Sequence, residues 1–244
     1  MESWLAGKTV ILTRPRAQSA DLLESLRRLG ARAVIAPAIR VERPRSFAAL
    51  DRAIRNASGF DAAVFTSANA VRALFERARR HRAVIALPRR LFAVGPATAA
   101  ALRELGGRVA ATPTPKLQTA AGLARFMRAR RGEKVLFVKG ESAGEDLPRL
   151  LRSRGCRVVA ATAYRTLPDR QGLGRLTPRL LATADAAFFA SPSAARAFAS
   201  ALGRFEARRF FQRAKAIVIG PTTAREMRRL GARVALWESK PTSP

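Results

Sequence analysis

The sequence predicts an α/β protein of two similar lobes, each a parallel sheet flanked by helices, with the first lobe discontinuous in the chain. Two observations carry this expectation. Short apolar, β-rich runs alternate with helical patterns along almost the whole chain, and the blocks of the first half recur in the second at a nearly fixed offset.

The alternation begins with Thr9 to Thr13 followed by a helical pattern over Ser19 to Leu29. Ala62 to Phe65 precedes a second pattern over Ala70 to Arg80, and Leu91 to Val94 a third over Thr98 to Leu105. Val135 to Val138, Ala186 to Phe189 and Ala216 to Ile219 each lead into a further helical stretch. Continuous apolar runs punctuated by helices read as strands of a parallel sheet covered on both faces.

The recurrence is more specific. Gly7-Lys8-Thr9-Val10-Ile11-Leu12 parallels Gly132-Glu133-Lys134-Val135-Leu136-Phe137, and Leu29-Gly30-Ala31-Arg32 parallels Arg154-Gly155-Cys156-Arg157. Asp61-Ala62-Ala63-Val64-Phe65-Thr66-Ser67 parallels Asp185-Ala186-Ala187-Phe188-Phe189-Ala190-Ser191, and Val94-Gly95-Pro96-Ala97-Thr98-Ala99 parallels Ile219-Gly220-Pro221-Thr222-Thr223-Ala224. Every block returns after 124 or 125 residues, the mark of a tandem duplication. Two short extended segments, Pro37 to Val41 and Thr162 to Thr166, lie between blocks, and Pro44 and Pro168 keep a helix from following at once. Taken as crossings, they divide the chain into a first lobe of 1–36 plus 169–244 and a second of 43–161, with linker strands at 37–42 and 162–168.

Composition narrows the class. A chain of 244 residues that is 48% apolar can bury a sizeable core. Its single cysteine, Cys156, excludes an intramolecular disulfide scaffold and suits a reducing compartment. The opening Met1-Glu2-Ser3-Trp4-Leu5-Ala6-Gly7-Lys8 has no signal-peptide pattern, and no apolar window approaches the roughly 20 residues needed to span a bilayer. A cytoplasmic protein with no membrane association is expected. The formal net charge is +29, and all but six of the 46 basic residues are arginine. Most of these sit among Ala and Leu at helical spacing and read as solvated faces, although such a balance also invites a polyanion.

Four strand-to-helix turns share one chemical design: Thr66-Ser67-Ala68-Asn69, Gly95-Pro96-Ala97-Thr98, Ala190-Ser191-Pro192-Ser193 and Gly220-Pro221-Thr222-Thr223. Each offers unpaired backbone N–H groups at a helix start, the positive end of the helix dipole and a nearby hydroxyl, which together make an anion site. One such turn is ordinary capping. Four, at the carboxyl ends of parallel strands where ligands bind, point to a ligand with several negative groups, a polycarboxylate rather than a single phosphate.

Other chemistries lack their residues. No GxGxxG follows the first strand, Gly172-Leu173-Gly174 being an isolated fragment, and no GxxxxGK[ST] loop is present. The lone histidine, His81, and the absence of a Cys/His cluster leave neither a metal site nor a Ser-His-Asp arrangement. The remaining proton donor in a central position is Tyr164, the single tyrosine of the chain, on the second linker segment.

These motifs resemble the uroporphyrinogen-III synthase family. The resemblance is carried by Val10-Ile11-Leu12-Thr13-Arg14-Pro15 with Gln18 and Leu22, Phe65-Thr66-Ser67-Ala68-Asn69-Ala70-Val71, Ala93-Val94-Gly95-Pro96-Ala97-Thr98, Ala163-Tyr164-Arg165-Thr166 and Ile219-Gly220-Pro221-Thr222-Thr223-Ala224, in the family's order over nearly the whole chain. It implies two α/β lobes joined by a two-stranded ladder. It also implies an enzyme that needs no cofactor and closes hydroxymethylbilane, a linear tetrapyrrole of eight carboxylates, with loss of water and inversion of ring D. By the same resemblance Tyr164 matches a tyrosine that assists departure of the hydroxyl. Thr13, Arg14, Ser67, Thr98, Ser191, Thr222 and Thr223 fall at substrate-binding positions, no metal is used, and the preceding pathway enzyme is a transient partner. Two departures stand out: Lys139-Gly140-Glu141-Ser142-Ala143-Gly144-Glu145-Asp146 is acidic where family members often carry an arginine, and Ala190 stands where the first copy has Thr66. The rival from another class is a basic nucleic-acid-binding or regulatory protein on the same scaffold, which would need the stacking aromatics and recognition helix that this sequence lacks.

Overall fold

A computed structural model describes residues 3–107, 109–111 and 120–237. In chain order the first half holds β1 (Thr9–Leu12), α1 (Ala20–Arg28), β2 (Arg32–Ile35), β3 (Ile39–Glu42), α2 (Ala48–Arg55), β4 (Ala62–Phe65), α3 (Ala68–Arg80), β5 (Arg90–Ala93), α4 (Pro96–Glu104), β6 (Val109–Ala111) and α5 (Ala120–Phe126). The second half holds β7 (Lys134–Gly140), α6 (Asp146–Ser153), β8 (Arg157–Pro168), α7 (Arg170–Leu173), α8 (Pro178–Thr183), β9 (Ala186–Phe189), α9 (Pro192–Arg213), β10 (Lys215–Val218), α10 (Pro221–Arg229) and β11 (Val234–Leu236). The chain folds as two compact units, one of Met1–Arg40 with Leu167–Pro244 and one of Val41–Thr166.

The first unit is a five-stranded sheet of order β11-β10-β9-β1-β2, with every neighbouring pair parallel. Its strands are apolar on both faces because both faces are covered. Ile11, Ala187, Phe189 and Val218 pack with Phe198, Phe210, Phe211 and Met227 of α9 and α10 on one side. Val10, Leu12, Phe188 and Ile217 pack with Leu22 and Leu26 of α1 on the other. Leu22 and Leu26 stand four residues apart, one turn of helix, and burying each contributes about 2 kcal/mol.

The second unit repeats the design with a sheet of order β3-β8-β7-β4-β5-β6. Leu136, Val138, Phe65 and Ala161 face α2, α3 and α4, while Val135, Phe137, Val64 and Phe92 face α5 and α6. The two sheets correspond strand by strand: β1 with β7, β2 with β8, β9 with β4, β10 with β5 and β11 with β6. Their first residues, Thr9 and Lys134, Arg32 and Arg157, Ala62 and Ala186, Arg90 and Lys215, Val109 and Val234, are separated by the 124 or 125 residues of the sequence repeat. Each unit therefore combines strands from both halves of the duplicated sequence.

The chain passes between the units after Arg40 and after Thr166. β8 runs from Arg157 to Pro168, pairs with β7 as far as Tyr164 and has β3 as its other neighbour, and both points where the chain passes between the units fall inside this pair of strands, β3 and β8.

Candidate functional site

In a parallel sheet all strand-to-helix turns leave the same edge, so the four turns singled out by sequence emerge at the carboxyl ends of β4, β5, β9 and β10. They divide into two chemical types. Ser67 and Ser191 cap their own helices: the Ser67 Oγ accepts from the Ala70 N–H at 3.1 Å and the Ser191 Oγ from the Ala194 N–H at 3.2 Å. Part of the donor set at α3 and α9 is therefore already satisfied. Gly95 and Gly220 cap α4 and α10 without a side chain, and proline occupies the first helical position of each. A Cβ at either glycine would meet nothing within 4 Å, so these turns open to solvent. In the Gly-Pro turns no side chain caps the helix start, although proline removes the first donor and the Thr98 N–H donates to the Gly95 carbonyl at 3.1 Å.

The predicted threonines fall differently. Thr13 is fully buried and its hydroxyl donates to the Phe188 carbonyl at 2.6 Å, so its one O–H donor is spent on tying β1 to β9. Thr98 and Thr223 are buried residues in the first turns of α4 and α10. Thr222 is exposed beside Thr223, and Arg14 is partly exposed just beyond the end of β1.

Tyr164 meets Ser67. The phenol oxygen lies 3.0 Å from the Ser67 Oγ, within hydrogen-bond distance, and either hydroxyl can donate. A displacement of register makes the contact. β7 and β8 pair in step from Lys134↔Arg157 to Lys139↔Thr162, and then Gly140 pairs with Tyr164, so that β8 carries one extra residue. Before this bulge, even-numbered residues of β8 such as Val158 and Ala160 face α5 and α6, whereas Ala161 faces α3. Strict alternation would send Tyr164 to the α5 side; the extra residue turns it to the α3 side with Ala163, where Ser67 begins the helix. Gly140 makes room for it. A Cβ at Gly140 would stand 2.7 Å from the Tyr164 Cζ and 2.9 Å from its oxygen. The Glu141 N–H donates to the Tyr164 carbonyl at 2.9 Å and closes the arrangement from the backbone side.

Burial pushes the Tyr164 phenol above its ordinary value, opposed in part by the Ser67 hydrogen bond. The group therefore stays protonated at neutral pH and is available as a donor. The acidic turn after Gly140 is largely neutralised by its own neighbours. Glu145 accepts from the buried Lys139 ammonium, which holds its carboxyl below the usual range, and Arg152 lies 3.9 Å away. Glu141 pairs with Arg45 at 3.3 Å. Two of the carboxylates that depart from the family pattern are thus engaged with cations of the same unit.

The model of the family described as uroporphyrinogen-III synthase HemD matches residues 20–244. The chain belongs to the uroporphyrinogen-III synthase family. A uroporphyrinogen-III synthase of Synechococcus elongatus is 33% identical over 165 residues, covering 67% of this chain and 62% of that protein. A putative uroporphyrinogen-III synthase of Methanothermobacter thermautotrophicus is 33% identical over 90% of this chain and 88% of its own. The uroporphyrinogen-III synthase of Chlorobaculum parvum is 30% identical over 93% and 91%. Among solved structures, a mutant uroporphyrinogen III synthase from Thermus thermophilus superposes with a TM-score of 0.71 at 22% identity, over 96% of this chain and 93% of that one. That likeness supports the fold, and the family carries the function: a cyclising lyase of porphyrin biosynthesis.

Within this family frame, sequence reading named Tyr164 and Ser67 separately, and the structure joins them. It missed Gly140 as their neighbour. A glycine at the end of an apolar strand was a signal, since glycine inside a strand marks a bulge or a close approach, but nothing in the sequence said what approached.

Proposed function

We propose that the chain cyclises hydroxymethylbilane to uroporphyrinogen III, and that Tyr164 acts as the proton donor to the departing hydroxyl. The observation that carries the assignment is the Ser67–Tyr164 contact, which exists in one unit alone. The Ser191 turn has the same cap but Ile39 stands 125 residues before Tyr164, so no phenol can form there. When Ser67 donates to the phenol oxygen, the phenol proton is free to point at a ligand. As the carbon–oxygen bond of the terminal hydroxymethyl breaks, that proton goes to the leaving oxygen and water departs; the proton lost on ring closure restores the phenol. A phenol held neutral by burial suits a donor better than a base.

The Gly95 and Gly220 turns, with Thr98, Thr222, Thr223, Ser191 and Arg14, are assigned to the carboxylates of the bilane. The uncapped N–H groups and dipole ends supply the attraction, and no cofactor enters the scheme. Holding a flexible chain so that ring D closes in the inverted sense is a positioning task, in which oriented binding supplies most of the rate. A cytoplasmic location and a transient hand-off from the enzyme that makes the bilane belong to the same reading; the lone free cysteine, Cys156, agrees with a reducing compartment.

The test is incubation with enzymatically generated hydroxymethylbilane, oxidation, and separation of porphyrin isomers. Isomer III in excess is expected, whereas isomer I alone, the product of spontaneous closure, would sink the proposal. Tyr164→Phe should lower turnover far more than Ser67→Ala; equal losses would remove Tyr164 from the donor role.

A further inference from the structure

The opposite edge of the second unit's sheet carries a cavity that the synthase reading leaves unused. Asp61 stands just before β4, Arg90 opens β5 and Glu133 stands just before β7, so these residues lie at the amino ends of parallel strands. Ser67, Gly95 and Gly140 mark the carboxyl ends. The cavity has a volume of about 710 Å³ and is completed by Phe92 and by the chain from Phe126 to Arg130 that follows α5.

Its chemistry is uneven. Phe92, which is buried, and Phe126, which is partly exposed, form an edge-to-face pair with centroids 6.2 Å apart and planes at 82°, so that Phe126 presents the accessible aromatic surface beside the buried Met127. The wall is a closed ion pair: Arg90 donates to Glu133 Oε1 at 2.6 Å and to the Met127 carbonyl at 2.5 Å, while Glu133 Oε2 accepts from the Arg130 N–H at 3.1 Å. Arg90 and Glu133 are thus committed to each other and to the backbone. Asp61 accepts from the Lys134 N–H at 2.7 Å and leaves one exposed carboxylate on the rim. Against it stand two cations, Arg128 and Arg130, whose guanidinium groups make no ion pair or hydrogen bond among the described residues and are exposed.

The backbone adds an independent observation. Arg128 has φ +45°, a left-handed conformation that costs a side chain about 1 kcal/mol and that glycine adopts freely. After α1, α4, α6 and α10 the chain places Gly30, Gly106, Gly155 and Gly231 in that conformation. After α5 it carries an arginine, and this arginine lines the cavity; Arg82, the other non-glycine in this conformation, does not. Strain of this kind collects where a side chain must be presented to a ligand.

We propose that this cavity is a second binding site, for a small aromatic anion whose ring lies against Phe126, backed by Phe92, and whose carboxylate, or an equivalent group, is held by Arg128 and Arg130. Neither half of the site suffices for tight binding: the arginines are exposed and screened, and the aromatic floor is small, so recognition needs ring and charge together.

Met127 provides a reporter. Of three methionines, Met127 lines the cavity and Met227 is buried in the core of the first unit. Protein labelled with methyl-13C methionine is titrated with benzene-1,3-dicarboxylate. The Met127 methyl resonance should shift saturably with a dissociation constant of about 0.1–1 mM, with Met227 unmoved. Uncharged benzamide and non-aromatic succinate should each bind roughly tenfold more weakly or worse. The R128A/R130A variant should weaken the dicarboxylate by roughly tenfold or more, and R72A/R79A, which removes two exposed cations of α3, should leave it unchanged. A wild-type circular dichroism spectrum and unfolding midpoint report that each variant is folded. The proposal is overturned if Met127 does not respond up to about 10 mM. It is equally overturned if succinate matches the aromatic anion, or if the α3 control weakens binding as much as the cavity variant.

Discussion

Gly140→Ala isolates the packing that holds Tyr164. Gly140 does not occupy the left-handed region, so alanine meets no backbone strain and the effect comes from the added methyl alone. That methyl would stand 2.7 Å from the Tyr164 Cζ, 2.9 Å from its oxygen and 3.1 Å from Cε1, where carbon atoms in contact prefer about 3.5–4.0 Å. The ring must withdraw by about 1 Å. A shift of that size displaces the phenol oxygen from its 3.0 Å contact with Ser67. The lost bond is worth about 1 kcal/mol of stability, but a misplacement of about 1 Å at a reacting group costs up to roughly a hundredfold in rate. The expected result is a kcat/KM for the bilane lowered ten- to a hundredfold with the melting temperature nearly unchanged. Gly144, where a Cβ would meet nothing within 4 Å, is the control on the same turn. Full isomer III production by Gly140→Ala, or an equal loss in Gly144→Ala, would refute the account.

Three further outcomes follow from the same contacts. Because Tyr164 is the single tyrosine, absorbance near 295 nm titrates it alone; its midpoint should lie above the ordinary phenol value, and Ser67→Ala should raise it further by removing the hydrogen bond that lowers it. A downward shift in Ser67→Ala would contradict the contact. Thr13→Val should cost about 1 kcal/mol in denaturant unfolding through loss of the buried bond to Phe188 and leave kcat close to wild type; a large loss of activity would return Thr13 to the binding site. Asp51 holds Arg77 in a two-pronged pair at 2.7 and 2.8 Å, with Arg77 stacked 4.0 Å over Phe47 and both charged side chains 21% exposed. Arg77 holds the Asp51 carboxyl below its usual range, so its stabilisation is complete above the unfolded value near 4 and is lost as pH falls through the lower folded value. Asp51→Asn should therefore lose about 1–2 kcal/mol at pH 7, with the gap to wild type closing in acid; a gap independent of pH would assign the loss to packing.

The fold was legible because its two signals are periodic and redundant. Burial on both sheet faces forces continuous apolar strands, and the duplication prints each strand twice, so Thr9 to Leu12 and Lys134 to Phe137 support one assignment. The site was legible only as residue types. Ser67 and Ser191 look alike in sequence, as do their turns, and both cap helices; what separates them is a register slip at Lys139 and Gly140 that no local propensity encodes. The partner of Thr13 was illegible for the related reason that a hydroxyl at a strand end looks free until the neighbouring strand, 175 residues away, supplies the Phe188 carbonyl.

The duplication also supplies an internal comparison for the chemistry. Where the second unit has Val138, Gly140 and Tyr164, the first has Thr13, Pro15 and Ile39. β2 stops at Ile35, and Ile39, the counterpart of Tyr164, opens β3 and packs on the α9 side of the first unit with an apolar side chain that can make no hydrogen bond to Ser191. By contrast the Gly-Pro turns stay matched, with glycine caps, proline at the first helical position and a buried threonine, Thr98 or Thr223, in the first turn. The geometry of the Gly-Pro turns was thus kept in both copies while the phenol and the glycine that admits it occur in one. A ligand with many like charges can use repeated turns, because each carboxylate meets the same dipole end. A single bond-breaking event needs a single donor. Under the proposed function the asymmetry divides the labour between the copies, with the shared turns assigned to binding and the bulged end of β8 to the reaction.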